Sequence, residues 1–234
     1  MALPNIKYVL GFLAAAVVGY AVDPWEANLP ATVGDAWTYE GQVLTAGPTP
    51  DETVAATVRL TMTVTKVERF GGGLTLISLK GHPSHALGWD GDGPGPGDVV
   101  DLEAEPFGYL CVVNKVFLLD GARLEAARLT LKAGEPLKPE DLSYDDLAFE
   151  FPLTVGLRFG DAAAMTRADG FYCWVVVDAK DYGDGRLVYH LLYNTNPDAT
   201  DVWFVPGLGI TRLKYSHHGT RHDVDLTLKG ATLK

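Results

Sequence analysis

Hydrophobic and polar positions alternate with a period near two along most of the chain. In Val54–Phe70 (VAATVRLTMTVTKVERF), Val58, Leu60, Met62 and Val64 share one face, and the next apolar residue, Val67, falls three positions on. That spacing predicts a half-buried strand with a bulge before Val67. GGGLTLISLKG predicts a return strand, the hairpin turning at Gly71–Gly73. GYLCVVNKVFLL reads as further strand, and GFYCWVVVDAKDYGDGRLVYHLLYNT as a hairpin turning at Asp184-Gly185, a pair suited to tight β-turns. DVWFVPGLGITRLKYSHHGTRHDVDLTLKG supplies two more strands around Gly219. Helix signals are few. Ala122–Gly134 fits a helix or a strand equally, and PEDLSYDDLAF opens like a helical first turn but is short. The sum is about eight to ten strands with at most one or two short helices. A sheet with one apolar face must close or be covered, so the expected fold is mainly β: a curled antiparallel sheet, clam or open barrel, preceded by an N-terminal apolar helix.

One phrase occurs twice. LPATVGDAW at Leu29–Trp37 and FPLTVGLRF at Phe151–Phe159 both run apolar, Pro, any residue, Thr, Val, Gly, two free positions, aromatic. Proline cannot donate to a ladder, so Pro30 and Pro152 belong just ahead of a strand or at an edge. Gly34 and Gly156 suit a turn conformation that a β-carbon resists. Trp37 and Phe159 then point into a core. The two copies stand 122 residues apart, whereas the two G-aromatic-x-C phrases ending at Cys111 and Cys173 stand 62 apart. A single duplication does not give both spacings. The repetition therefore predicts a recurring way of starting a strand.

Tyr8–Val22 is an unbroken apolar run, preceded by Lys7 and followed by Asp23 and Glu26. As a helix it would rise roughly 22 Å, short of a hydrocarbon core of about 30 Å. Two readings fit. A signal peptide has this basic start, this apolar length and a small-residue site such as Gly19-Tyr20-Ala21. A retained anchor would be extended by Ile6 and Trp25, with Lys7 snorkelling and Tyr20 and Trp25 at the interface. We carry the anchor forward, with Tyr8, Phe12, Val17, Tyr20 and Trp25 as its residues. Both readings place the remainder outside the cytoplasm, because the positive charge precedes the run. The chain then divides into a membrane segment, residues 1–25, and an extracytoplasmic β domain, residues 26–234. In an oxidising compartment Cys111 and Cys173 would close a loop of roughly sixty residues by a disulfide worth on the order of 4 kcal/mol; the alternative is two buried thiols acting as small hydrophobes.

LPATVGDAWTYE, FPLTVGLRFGD, GFYCWVVV and DVWFVPGLGITRLKY, in that order, resemble a broad group of bacterial exported proteins. That group has a P-L-x-x-G-x-x-W-x-Y opening, a second P-L-x-x-G phrase, a G-x-x-x-C strand and a closing W-[YF]-x-P-G-x-G strand. The resemblance spans Leu29–Leu228, with Ala31 and Phe159 departing from the usual Leu and Trp. It implies a clam-like β domain similar in shape to periplasmic lipoprotein carriers, and no shared catalytic residues.

Charge and chemistry narrow the function. Thirty acidic against nineteen basic side chains give a net charge of -11, and no basic stripe is present, so nucleic acid is not an expected partner. None of the four serines, Ser78, Ser84, Ser143 and Ser216, sits in a G-x-S-x-G elbow. YSHHGTRH is the sharpest polar cluster: with a turn at Gly219-Thr220, His218 and His222 would face each other, and His217 or Asp223 would complete a surface metal site. A solvated hairpin tip is the plainer reading and the favoured one. His82 and His85 in HPSH join only if the two loops meet. DGDGPGPGDVVD has aspartates spaced like a calcium loop but Pro94 and Asp101 depart from that pattern, and an acidic loop is favoured. FYCWVVV is apolar on both faces, which calls for a second layer, an apolar ligand or another subunit. Trp89, Tyr172, Trp174 and Trp203 are the candidate partner surface, against the commoner role of such rings in a core. The expectation is a non-catalytic accessory subunit of a larger membrane assembly, without cofactor, partnered by other membrane-protein subunits. The alternatives are a periplasmic carrier of a lipid or other apolar ligand and, more weakly, a metal-dependent hydrolase.

Overall fold

The computed structural model of the chain describes residues 23–47, 49, 52–89, 99–138, 142–219 and 222–234. The apolar run 8–22 and the acidic loop 90–98 lie outside the described residues. Thirteen strands form one sheet: β1 (Ala36–Ala46), β2 (Thr53–Phe70), β3 (Leu74–Lys80), β4 (Val99–Asp101), β5 (Pro106–Val112), β6 (Lys115–Asp120), β7 (Leu147–Glu150), β8 (Arg158–Gly160), β9 (Cys173–Asp181), β10 (Leu187–Asn194), β11 (Asp198–Val205), β12 (Gly209–His217) and β13 (His222–Thr232). Their spatial order is β7-β6-β5-β3-β2-β1-β13-β12-β11-β10-β9-β8, antiparallel throughout, with β4 added in parallel to β2. The two ends of this path, β7 and β8, come into contact, so the curled sheet is a nearly closed barrel. The expected count of strands falls short because β4, β7 and β8 have three, four and three residues, too few for an alternation to show.

The predicted alternation in β2 holds. Val58, Leu60, Met62 and Val64 are buried, and the β2–β3 register shifts between Val64 and Lys66. Inward rows cross the sheet strand by strand: Val176, Leu191, Val202, Leu213, Leu226, Gly41 and Val58 stand opposite one another in turn. Gly41 is the small member of that row, and a β-carbon there would lie 1.8 Å from the Asp225 carbonyl oxygen. The interior is filled by aromatic rings. Trp37 donates its Nε1–H to the Leu208 carbonyl at 2.6 Å, and Tyr39 its hydroxyl to the Ile210 carbonyl at 2.9 Å. Phe149, Phe151 and Phe204 pack ring against ring, with centroids 4.7–5.9 Å apart.

The ambiguous stretch after β6 is a helix, α1 (Gly121–Lys132). Asp120 caps it by accepting the Arg123 N–H at 2.9 Å, and Leu124, Ala127 and Leu131 form its buried stripe. Arg128 clamps it to the sheet, donating to Glu68 at 2.7 Å and to Ser78 Oγ at 2.6 Å. Burial alone would raise the Glu68 carboxyl, but hydrogen bonds from Lys66 and Arg128 outweigh it and hold the group at about 2. A second, one-turn helix, α2 (Ala162–Met165), follows β8.

Trp25 is corrected by the structure: it is fully buried in the core, so it does not serve as an interfacial anchor residue. The chain from Asp23 belongs to the folded domain. Glu26 pairs with Arg69 at 2.8 Å, and the Asn28 carbonyl accepts the Gly207 N–H at 2.8 Å.

Both copies of the repeated phrase start strands, and they do so with the same hydrogen bonds. Gly34 N–H reaches Val64 O and Val64 N–H reaches Asp35 O; Gly156 N–H reaches Val176 O and Val176 N–H reaches Leu157 O, all at 2.8–2.9 Å. The two glycines have φ of 90° and 89°. Trp37 and Phe159 are buried, as expected. A β-carbon on Gly156 would meet nothing within 4 Å. Gly156→Ala is therefore expected to cost about 1–2 kcal/mol through the left-handed backbone alone. Gly34→Ala adds pressure on the Lys234 side chain, whose ammonium would lie 2.3 Å from the new carbon. Urea unfolding of the two variants measures this, and an unchanged midpoint in Gly156→Ala refutes it.

Candidate functional site

Strand alternation places Asp198, His217, His222 and Thr45 in one inward-facing row at the mouth of the barrel, opposite one another in register across β11, β12, β13 and β1. Asp198 is the hub. Its carboxylate accepts from His217 Nδ1 at 2.6 Å, Tyr215 Oη at 2.7 Å and Thr195 Oγ1 at 3.3 Å. The bonds from His217 and Tyr215 hold the Asp198 carboxyl below the usual range, and burial with the Asp198 bond pushes Tyr215 up to about 12. His218 N–H reaches the Pro197 carbonyl at 3.1 Å, tying the two neighbouring turns together. His222 packs edge-on against Tyr215, with centroids 5.7 Å apart. Thr45 Oγ1 and His222 Nε2, from residues paired in register, are buried with no hydrogen-bond partner among the described residues. Beside this row a depression of about 550 Å³ is lined by residues that include Arg167, Asp169, Tyr172, Asn194, Thr195 and His218.

The three histidines do not converge. His217, not His218, stands opposite His222, one register position from the expected pairing. His217 is turned to Asp198, and His218 is exposed. Among the described residues no group of three or more His, Cys, Asp or Glu side chains is placed to hold a metal ion. A His–Asp pair can act as a general base, but it needs a nucleophile within reach. Here the nearby hydroxyls of Tyr215 and Thr195 are both bonded to Asp198, and Ser216 lies on the opposite face by alternation.

The outer face carries a second set of groups that the sequence reading did not bring together, although it names Trp203 as a candidate partner residue. His190, Trp203, Arg212, Thr227, Glu40, Arg59 and Asp101 follow one another across seven strands. His190 stacks on Trp203 at 4.5 Å and 4°, and the Arg212 guanidinium lies 5.0 Å from the Trp203 ring centre. His190 Nε2 also meets Asp201 at 2.5 Å, and Arg212 binds Asp225 through two bonds of 2.8 and 2.6 Å. A further hint in the sequence is the acid-Ala-Thr-acid step at Asp198–Asp201, which starts β11 with one carboxylate facing in and the other out.

The four candidate partner aromatics do not make one patch. Trp203 is on the outer face. Trp174 faces inward, stacked on Phe159 and against Tyr193. Trp89 is half-buried against the core, and Tyr172 is exposed at the depression under the Arg167 guanidinium. Cys111 and Cys173 are free, buried thiols on β5 and β9, so of the two alternatives the chain has the unbridged pair. Cys173 Sγ lies 3.6 Å from the Gly170 carbonyl, so the loop after α2 is the layer covering the second face of β9 at that point. His82 and His85 do not join the other histidines. His82 Nδ1 accepts the Ser84 N–H at 3.2 Å and its Nε2 faces Tyr109 Oη at 2.9 Å, while His85 Nε2 lies 3.6 Å from Glu105.

The fold and site together define a nearly closed, antiparallel β-barrel with a filled interior. The chain matches no protein family and no curated protein. Among solved structures it is similar to a candidate exported protein with a YmcC-like fold from Bacteroides fragilis NCTC 9343, at 10% identity and a TM-score of 0.38, over 88% of this chain and 98% of that one. It is also similar to a candidate lipoprotein from Parabacteroides distasonis ATCC 8503, at 10% identity and a TM-score of 0.34, over 87% and 97%.

Two measurements check the electrostatics. Burial lowers His82 to about 3, so the native imidazole stays neutral while the unfolded one gains a proton below its ordinary value. Native stability is then present above about pH 6.5 and falls towards about 3, at up to about 1.4 kcal/mol per pH unit. His82→Gln should flatten that slope in urea melts taken from pH 7 to 4. Asp198→Ala leaves Tyr215 and His217 without their acceptor and should cost about 1 kcal/mol at neutral pH; an unchanged melting temperature would show that the hub is not structural.

Proposed function

We propose that the chain is a membrane-tethered, extracytoplasmic scaffold: a non-catalytic accessory subunit of a larger membrane assembly, working through its surfaces. The observation that carries the reading is the filled interior. Within the ring of Leu29, Trp37, Met62, Leu79, Tyr109 and Ile210 about 10 Å³ remains, room for one water molecule at most. The connection after β3 folds inward as well, burying Pro83 and Ala86 and touching β2, β12 and β13. A carrier of a lipid or other apolar ligand needs a chamber of several hundred Å³, which the described residues of this ring do not leave. Among the described residues, the Tyr215 and Thr195 hydroxyls beside the Asp198–His217 pair are both engaged by Asp198, which weighs against hydrolysis. What remains available for recognition is the outside, where the Trp203 ladder presents an aromatic ring and an arginine, the residue types that anchor protein interfaces.

The tether rests on Tyr8–Val22, and the extracytoplasmic address on Lys7 preceding it. Extraction of the native chain from membranes in mild detergent should retain stoichiometric partners, and Trp203→Ala with Arg212→Ala should release them without shifting the melting temperature by more than a few degrees. Recovery of the wild-type chain as a clean monomer defeats the accessory-subunit reading. Lipid found by mass spectrometry at one per chain would move the assignment to a carrier.

A further inference from the structure

In an antiparallel barrel the connections alternate between two ends, and here those ends differ in chemistry. The segments 23–35, 71–73, 113–114, 151–157, 182–186, 206–208 and the C-terminal residues 233–234 all lie at one end. Exposed there are Val33 (51%), Val113 (56%) and Val155 (60%), with Tyr182, Leu187 and Leu233 beside them. These are six of the eleven exposed large hydrophobics among the described residues. Side chains of this kind in turns contribute nothing to the core and lose free energy to water. Charges at this end are largely neutralised in pairs: Glu26 with Arg69 at 2.8 Å, Lys115 with Glu150 at 3.8 Å, and Asp184 with Arg186 at 2.5 Å. The opposite end carries Glu52, Glu103, Glu105, Asp145, Asp161, Asp169 and Asp223 on its connections and strand ends.

The chain joins this aliphatic end to the apolar run. Val22 closes the run, and Trp25, three residues later, is locked in the core. Three residues span at most about 10 Å. Whatever depth the run takes in a bilayer, Trp25 stays within that distance of Val22, and the run enters the barrel at the end that bears Val33, Val113 and Val155. We propose that this end of the barrel rests on the lipid surface, with Val33, Val113, Val155 and Leu187 immersed at the boundary of headgroups and acyl chains. The acidic end then points away from the anionic headgroups that would repel it. The inference depends on the tethered reading above and adds an orientation to it.

The test uses the full chain in vesicles of phosphatidylcholine and phosphatidylglycerol. Single cysteines replace Val33, Val113, Val155 or Leu187, and, as controls at the other end, Thr166 or His218; each carries a polarity-sensitive fluorophore, the two native thiols being buried. Brominated lipid should quench the first four severalfold more than the two controls, with a blue-shifted emission. Equal quenching at both ends, on chain that floats with the vesicles, overturns the orientation and leaves the tether standing. Failure of the chain to float removes the tether, and the orientation with it.

Discussion

A sheet curled onto itself has to fill its own interior, and in this chain two aromatic side chains do so where backbone carbonyls of β12 and the turn before it are free to meet them. β12 pairs with β13 only from Arg212 onward, so Leu208 and Ile210 lie ahead of that ladder. β13 in turn slips against β1 between Thr38 and Tyr39. The carbonyls that the ladder leaves unpaired are those that accept from Trp37 and Tyr39. Each ring brings a large apolar area out of water, and its polar tip avoids the cost of a buried, unbonded donor. Loss of either acceptor would leave a buried N–H or O–H stranded, which is why the irregularity in β12 and the aromatics of β1 have to be considered together.

The same economy governs the polar groups. Asp198 receives three side-chain donors, Glu68 is held by Lys66 and Arg128, and His82 is fixed between Ser84 and Tyr109. A catalytic group has to be held on one side and open on the other. Here Asp198, Glu68 and His82 are each held by partners from elsewhere in the chain, so these groups cross-link the fold. The outer ladder differs. Trp203 is only half-buried between His190 and Arg212, and its exposed edge has no structural duty inside the barrel.

How much of this was legible depends on whether a feature is local. The alternation in β2, its bulge and the Gly71–Gly73 turn follow from a few adjacent residues and are present, and the β9–β10 hairpin does turn at Asp184-Gly185, though through a five-residue connection and not a tight Asp-Gly turn. The helix at Gly121–Lys132 was ambiguous because Leu129 and Leu131 also alternate, and its fate is decided by Asp120 capping and by Arg128 reaching Glu68 sixty residues away. Trp25 was misplaced because an aromatic after an apolar run looks the same whether it meets headgroups or a core. The pairing of His217 with His222 turns on a register of one residue at a turn, which side-chain pattern alone does not set. The outer ladder depends on seven strands being aligned at once, and no window of sequence contains it.

The recurring phrase shows how little sequence is needed when the backbone does the bonding. Its two copies make the same pair of hydrogen bonds, yet Val64 lies 30 residues beyond Gly34 and Val176 lies 20 beyond Gly156. The residue after each glycine differs completely. Asp35 is buried and binds the Thr32 and Lys234 N–H groups, whereas Leu157 packs against the core. Only the proline, the glycine and the plugging aromatic are common to both in function. Proline keeps the preceding segment out of the ladder, glycine takes the positive φ, and the carbonyl after it receives the partner valine. Because each task falls to a single residue type, the same phrase arises wherever an antiparallel sheet of this kind must begin a strand beside a longer neighbour. Shared geometry at unequal spacing is what recurrence of one physical solution produces, and copying of a segment would have carried the loop lengths along with it.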